Sequence, residues 1–271
     1  MLHRITPVIL TRDEAPNIRR TLARLGWARD IVVVDSGSTD GVLEILGEFP
    51  QARVFHRPFD SHGGQWRFAI GETAIATDWV LRLDADYLVT PELERELAGL
   101  DPGAPASAYR IRFDYAMFGQ PLRASLYPSN TVLFRRGRAT VYDDGHTERW
   151  RIDGPVADLR GRLVHDDRKS MSHWIGAQAR YMARELPRLK SSPRGVKRWL
   201  RLSPPLMPFA VFLYCLFGKG LILGGRAGMA YALQRLAAET MLALMVLEDA
   251  AAPPDAGRPA EEPPRASGPP A

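Results

Sequence analysis

Cysteine is almost missing from this chain: Cys215 is the single one in 271 residues, so no intrachain disulfide framework and no multi-cysteine zinc site can form. A reduced, cytosolic compartment is the expectation. A glycine-rich phosphate loop is absent too. Thr11-Arg12-Asp13-Glu14 follows the first apolar run, where a dinucleotide oxidoreductase needs Gly-x-Gly-x-x-Gly and a nucleotidyltransferase a Gly-rich turn. Long apolar runs are also wanting. Leu206 to Leu223 is broken by Pro208, Gly218, Lys219 and Gly220, and falls short of the roughly 20 residues a spanning helix needs. The opening run Pro7 to Leu10 is far shorter than a secretory h-region, so no signal peptide is expected. Neither sign of charge dominates: 36 Lys plus Arg against 31 Asp plus Glu leave +5, informative only where clustered.

What is present is an ordinary globular composition, 45% hydrophobic and 25% charged, which excludes collagenous, coiled-coil and wholly disordered chains. Short apolar runs at Ile5–Leu10, Ile31–Val34, Arg53–Phe55 and Trp79–Leu83 read as strands covered on both faces. Amphipathic stretches at Asn17–Leu25, Val42–Phe49 and Trp66–Ala76 alternate with them as helices. This alternation predicts an α/β domain with a doubly wound sheet. Ala108–Tyr115, Thr131–Phe134 and Arg160–His165 look like added strands of a mixed sheet. The chain divides into a catalytic domain over 1–169, a helical basic and apolar region over 170–249 and a Pro/Ala-rich tail over 250–271, which is expected to be disordered.

Ser170–Lys190 reads as a long helix interrupted near Pro187. Arg180 to Arg201 holds eight Lys or Arg against one acid, Glu185, and the apolar stretch Leu206–Leu223 follows. A basic cluster beside an apolar helix is the pattern of adsorption to anionic lipid. A basic solvated helix followed by a hydrophobic hairpin packed on Met229–Leu247 is the alternative. Only Tyr181 and Trp199 interleave the basic cluster and no recognition motif accompanies it, so nucleic acid is not an expected partner.

Two carboxylates, Asp84 and Asp86, end the run Trp79-Val80-Leu81-Arg82-Leu83. In extended chain they point to the same side, roughly 6.5 to 7 Å apart. Oxygen donors so placed suit Mg²⁺ or Mn²⁺, and a diphosphate is the usual partner of such an ion. The carboxyl edge of an open α/β sheet is also where ligands bind. A polar turn after a buried strand is the plain alternative. A second acidic edge follows Ile31–Val34, where Asp35 could accept a base N–H or a ribose hydroxyl while Ser38, Thr39 and Asp40 cap the next helix. Thr11 to Asn17 forms a third polar edge. An Asp-x-Asp strand end also occurs in haloacid-dehalogenase-like phosphatases, but there it opens the domain, with Thr or Val where this chain has Leu88.

Val8-Ile9-Leu10-Thr11-Arg12-Asp13-Glu14-Ala15-Pro16-Asn17-Ile18, Val34-Asp35-Ser36-Gly37-Ser38-Thr39-Asp40-Gly41 and Asp78-Trp79-Val80-Leu81-Arg82-Leu83-Asp84-Ala85-Asp86 together resemble the family 2 inverting glycosyltransferases. The resemblance is strong from Thr6 to about Ala98 and extends less specifically to about Lys190. It implies a GT-A fold, a nucleotide-diphosphate sugar as donor and a divalent metal. By that likeness Thr11, Glu14 and Asp35 hold the nucleoside, Asp84 lies near the ribose or sugar, and Asp86 takes the metal. Arg12-Asp13 and Tyr87 depart from the family's common residues. Gln65 and Arg67 lie where the family closes the donor pocket, and Arg suits bidentate phosphate recognition.

An inverting displacement also needs a base for the acceptor hydroxyl. Tyr142-Asp143-Asp144-Gly145-His146-Thr147-Glu148 resembles the Asp-Gly-x-x-His-Glu type segment of bacterial envelope glycosyltransferases, with altered spacing. Glu148 is the first candidate base, Asp144 the second, and His146 the residue that orients the site. A late histidine sometimes completes the metal shell in GT-A enzymes, which makes His165 a candidate ligand or else a strand-edge cap. Arg168 and Lys169 could neutralise the departing diphosphate. The expectation is a metal-dependent hexosyltransferase at the cytoplasmic face of the inner membrane, acting on a lipid-linked or polysaccharide acceptor. A non-catalytic sugar-nucleotide-binding scaffold of a polysaccharide assembly complex is the alternative.

Overall fold

The structure, a computed structural model, describes residues 1–144, 147–193, 195–204 and 206–251, with the backbone alone at 144, 147 and 197. The elements in chain order are β1 (Ile5–Thr11), α1 (Ala15–Ala23), β2 (Ile31–Asp35), α2 (Val42–Leu46), β3 (Ala52–His56), α3 (His62–Gly71), β4 (Trp79–Asp84), β5 (Tyr87–Val89) and α4 (Pro91–Ala98). They continue with β6 (Ala108–Met117), β7 (Gln120–Pro121), β8 (Asn130–Arg135), β9 (Ala139–Asp144), β10 (Thr147–Ile152) and β11 (Val156–His165). Helices α5 (Met171–Ser191), α6 (Val196–Arg201), α7 (Leu206–Leu213) and α8 (Gly225–Ala251) complete the described chain, with a π turn over Tyr214–Gly218 joining on to α7.

Nine strands form one mixed sheet in the order β3-β2-β1-β4-β8-β6-β11-β5, with β7 on β6, while β9 and β10 make a separate hairpin. The first four strands are parallel. β8 runs antiparallel to β4 and β6, β11 is parallel to β6, and β5 closes antiparallel on β11. The central strands are largely apolar on both faces because both are covered. Ile9, Val33 and Leu81 face Ile18 and Leu22 of α1 and Val42 and Leu46 of α2. Val8, Val32, Val34 and Val80 face Trp66 and Ala69 of α3. The chain steps outward from β1 to β2 and β3, then returns to lay β4 on the other side of β1. That reversal opens a crevice outside the carboxyl ends of β1 and β4.

Local chemistry sets the helix starts. The Ser61 hydroxyl accepts from the Gly64 amide at 2.9 Å, so α3 begins earlier than the apolar spacing around Trp66 predicts. Thr90 caps α4 by accepting from the Leu93 amide at 3.2 Å, with Pro91 opening the first turn. α5 passes through Pro187 without the expected interruption. Met182, Leu186 and Leu189 pack against Ala238 and Leu242 of α8, and this contact offsets the missing backbone donor.

Leu206–Gly218 forms a shorter apolar helix, and the long apolar element among the described residues is the segment Leu221–Ala251, of 31 residues, whose most apolar stretch has a mean hydropathy of 1.2 and is 28% buried. It is long and apolar enough to cross a membrane by length and composition. Its inner face joins the main sheet: Tyr231 packs with Met117, Leu122, Cys215, Leu216 and Leu221, and its hydroxyl accepts from the Leu126 amide at 2.8 Å. Residues 252–271, most of the expected disordered tail, lie outside the described residues.

At the far side α4 lies directly on a bulge in β11. The register with β6 shifts between Asp158 and Arg162, and the Glu96 carboxylate accepts from the Arg160 and Gly161 amides at 3.0 and 2.7 Å. A Cβ on Gly161 would sit 2.5 Å from Leu93 Cα and 2.8 Å from Leu93 N, so only glycine lets α4 approach. Gly161→Ala therefore lowers the stability by about 1–3 kcal/mol, as overpacking does. Urea titration checks this: the midpoint falls with an unchanged slope, and an unchanged midpoint would contradict the close approach.

Candidate functional site

The crevice between β1 and β4 opens into a cleft of about 420 Å³, lined among others by Thr11, Glu14, Gln65, Asp84, Asp86 and Glu148. Of the residues named from the sequence, the structure brings these six together from four separate segments. Thr11 ends β1, and Asp84 ends β4 beside Leu10 in the parallel register. Asp35 ends β2 next to Thr11 and is buried, while its neighbour Ser36 reaches the lining. Burial alone would raise the Asp35 pKa. The Ser38 hydroxyl at 2.5 Å and the Ser38 and Gly37 amides at 3.2 and 3.0 Å outweigh it and hold the carboxyl below its ordinary range.

The turns around the cleft are clipped to one another. Asp13 takes a left-handed backbone (φ 53°); its amide donates to Ser38 Oγ at 2.8 Å and its carboxylate accepts from the Thr39 amide at 2.8 Å. α2 starts after Gly41 without a side-chain cap; Asp40 accepts from the Val42 amide at 3.3 Å and from the Ala15 amide at 2.7 Å, while Ser38 and Thr39 bond to Asp13 rather than cap the helix as expected. The sequence shows Asp13 only as a departure from a family pattern, because its partners lie some 25 residues away.

Around Asp84 and Asp86 the charges are arranged tightly. Asp86 Oδ2 lies 3.1 Å from His165 Nε2 at the end of β11. Burial pushes Asp86 up, but the His165 charge and hydrogen bond, and then Lys169, outweigh burial and hold it below the usual carboxylate range. In return Asp86 raises His165 against the effect of burial. Asp84 reaches the solvent of the cleft yet is ringed by protein; this confinement, followed by the Asp86 charge, raises it, with Arg82 opposing. Glu14 is pushed up to about 7 by burial, although Lys169 Nζ at 2.5 Å pulls the other way. The segment after β11 that carries Lys169 is held on α1, where Asn17 Nδ2 donates to Asp167 at 2.9 Å and Arg20 Nη1 to Asp166 at 2.6 Å.

Glu148 enters from the β9–β10 hairpin. Its Oε1 accepts from Arg82 Nη1 at 2.7 Å, and the Arg82 guanidinium stacks between Trp66 and Trp150 at 5.7 and 5.1 Å from the ring centroids. Arg82 is the residue the sequence reading passed over. A lone arginine within Leu81-Arg82-Leu83 was the signal available. Gln65 is buried in the wall, its Nε2 donating to the Arg57 and Pro58 carbonyls at 3.1 Å and its Oε1 left without a partner among the described residues.

Arg67 stands apart. Its Nη2 pairs with Asp143 at 2.9 Å, tying α3 to β9, and it does not line the cleft, because an acceptor nearer to hand takes its guanidinium. Arg168 is likewise occupied by Asp166 at 2.8 Å. His146 and the Asp144 side chain lie outside the described residues, and Glu148 is the one of the three candidate catalytic groups that is described.

For a divalent cation, the donors at hand are the Asp86 carboxylate and the His165 imidazole. Among the described residues no three His, Cys, Asp or Glu side chains gather into a ready-made cage. One carboxylate and one imidazole, with a second carboxylate crowded beside them, fit a cation whose other positions go to water and phosphate oxygens.

The profile of Glycosyl transferase family 2 matches residues 7–154, more than half of the chain. An uncharacterized glycosyltransferase of Rickettsia bellii (strain RML369-C) is 37% identical over 95 residues, 35% of this chain and 31% of that protein. The chain thus spans about a third of the length of that relative. The lipopolysaccharide core biosynthesis glycosyltransferase LpsC of Rhizobium meliloti (strain 1021) is 26% identical over 246 residues, 84% of this chain and 86% of LpsC. Among solved structures, S. aureus TarS 1-349 in complex with UDP-GlcNAc covers 92% of both chains at 11% identity with a TM-score of 0.50, a likeness of fold. The mixed sheet is of the GT-A type, and the chain belongs to glycosyl transferase family 2.

Proposed function

We propose that this protein transfers a sugar from a nucleotide-diphosphate donor to a saccharide acceptor of the cell envelope, with inversion at the anomeric carbon. The observation that carries this reading is the convergence of Asp84, Asp86 and Glu148 on one cleft at the switch point of the sheet. The 84% coverage by a relative named for lipopolysaccharide core biosynthesis supports an envelope acceptor. The exposed apolar residues Phe209, Phe217 and Leu223, beside Lys219 and Arg226, support adsorption of the helical region to an anionic membrane surface.

In this mechanism Thr11, Glu14 and Asp35 hold the nucleoside through its N–H and O–H donors. Asp84 orients the sugar or ribose. Asp86 and His165 would hold the divalent ion, which supplies charge neutralisation to the departing diphosphate. Glu148, fixed by Arg82 between two indoles, accepts the proton of the acceptor hydroxyl as it attacks. Lys169, held at the cleft by Glu14, adds positive charge near the phosphates.

Three outcomes follow. Glu148→Gln lowers kcat by about 10²–10⁴-fold, the contribution of a general base, while nucleotide-sugar affinity stays within twofold; full activity in the variant would remove Glu148 from the role. Asp86→Ala abolishes the Mn²⁺ or Mg²⁺ dependence of nucleotide-sugar binding, measured by calorimetry with and without chelator. Glu14 accepts hydrogen bonds best as the carboxylate, so nucleotide affinity rises as pH climbs through about 7. Titration of UDP and GDP between pH 5.5 and 8.5 checks this, and Glu14→Gln flattens the rise; an equal rise in the variant would assign it to another group.

A further inference from the structure

A second cavity, of about 310 Å³, lies on the β6–β11 part of the sheet and is lined by Arg112, Arg123, Arg162 and Asp114, with Ser125 and the ring of Tyr127, whose hydroxyl pairs with that of Tyr87. Arg112 and Arg162 are register partners on the adjacent parallel strands, which lie about 4.8 Å apart. Like charges so placed repel and cost stability. Elsewhere on these strands the same chemistry is balanced. Arg110 is met by its own register partner Asp158 at 2.8 and 2.9 Å, and Arg162 by Asp114 at 2.5 Å. Arg112 and Arg123 have no carboxylate within ion-pair distance among the described residues. Three guanidinium groups thus face one lining carboxylate around the cavity, with Asp158 attracting Arg112 from a longer distance, and the exposed Arg112 and Arg123 are left open to an anion.

The cavity is joined to the donor cleft by shared side chains. Tyr115 and Tyr127 line it, and the same two rings pack on His165 at 4.7 and 4.8 Å between centroids. His165 in turn holds Asp86 in the cleft lining. Leu122, also in the cavity wall, packs with Leu216, Leu221 and Tyr231 of the C-terminal helical region. The cavity therefore lies one layer of rings from the Asp86–His165 pair, on the way to the apolar helices.

We propose that this cavity binds a phosphate group carried by the acceptor, with Arg112, Arg123 and Arg162 gripping its oxygens through charge-assisted hydrogen bonds and the Ser125 hydroxyl adding a donor. The proposal rests on the transferase reading, which makes the neighbouring cleft the donor site. The Arg112–Arg162 repulsion is then tolerated for substrate selection.

The test uses the full chain and glucose 6-phosphate against glucose, titrated by calorimetry, in wild type and in Arg112→Gln/Arg123→Gln. Wild type prefers the phosphorylated sugar by roughly tenfold or more, as charge-assisted contacts allow. The double variant loses this preference, keeps its nucleotide-sugar affinity, and melts at an equal or higher temperature because the repulsion is gone. Equal binding of the two sugars by wild type, or a preference that survives in the variant, would overturn the proposal. Sedimentation with phosphatidylglycerol and phosphatidylcholine vesicles separates the two sources of phosphate: a variant that loses only phosphatidylglycerol binding would assign the cavity to lipid headgroups and overturn the acceptor role. A phosphate preference in wild type without binding of any nucleotide sugar would contradict the transferase reading, and the acceptor assignment with it.

Discussion

Two carboxylates two residues apart, at the end of a strand that is apolar up to Leu83 save Arg82, are the constraint on which the rest of the site depends. Their mutual repulsion in a confined cleft has to be met by positive charge. The fold supplies it from Arg82 on the same strand and from distant parts of the chain, His165 at the end of β11 and Lys169 in the turn beyond. Each cation is itself anchored. Arg82 lies between two indoles, His165 among the rings of Tyr87, Tyr115 and Tyr127, and Lys169 against Glu14. Removal of any one leaves a buried charge without its partner, which is costly in a medium of low polarity.

This balance explains why the accessory part of the sheet is needed. β1 to β4 would suffice to place Thr11, Asp35, Asp84 and Asp86 at one edge, but they bring mainly acids. β6 and β11 extend the sheet so that His165 arrives beside Asp86, and β5 closes on β11 immediately after the acidic pair. The β9–β10 hairpin lies outside the main sheet and packs Trp150 on Trp66 and Phe134, which carries Glu148 to the mouth of the cleft. The C-terminal helices enter the same network through Tyr231, whose ring packs on Tyr115 at 5.1 Å.

Sequence patterning made the central half of the fold legible because parallel strands covered on both faces are largely apolar, as Ile31–Val34 is and as Trp79–Leu83 is apart from Arg82. The acids that end them stood out against that background. Partnerships across long stretches of chain left no such mark: Arg82 meets Glu148 at a separation of 66 residues. Arg67 looked like a phosphate ligand, but Asp143 takes it, 76 residues on. Helix α4 escaped the reading although Thr90-Pro91 signals its start, and Pro187 was given too much weight as a breaker where packing on α8 overrides it. The apolar partner expected at Met229–Leu247 lies within α8, and Cys215, Leu216 and Leu221 pack on its Tyr231 and Ala232; its start is harder to read, because Ala227 and Gly228 bury a face without large side chains.

The most direct test of the charge balance at the cleft is a crystal structure with a nucleotide sugar and Mn²⁺, with anomalous scattering recorded at the manganese edge. The account predicts a single strong peak between the Asp86 carboxylate, the His165 imidazole and the diphosphate, with the nucleoside seated against Thr11, Glu14 and Asp35. Manganese elsewhere on the protein, or a nucleotide outside this cleft while Asp86 and His165 stay paired to each other, would contradict it.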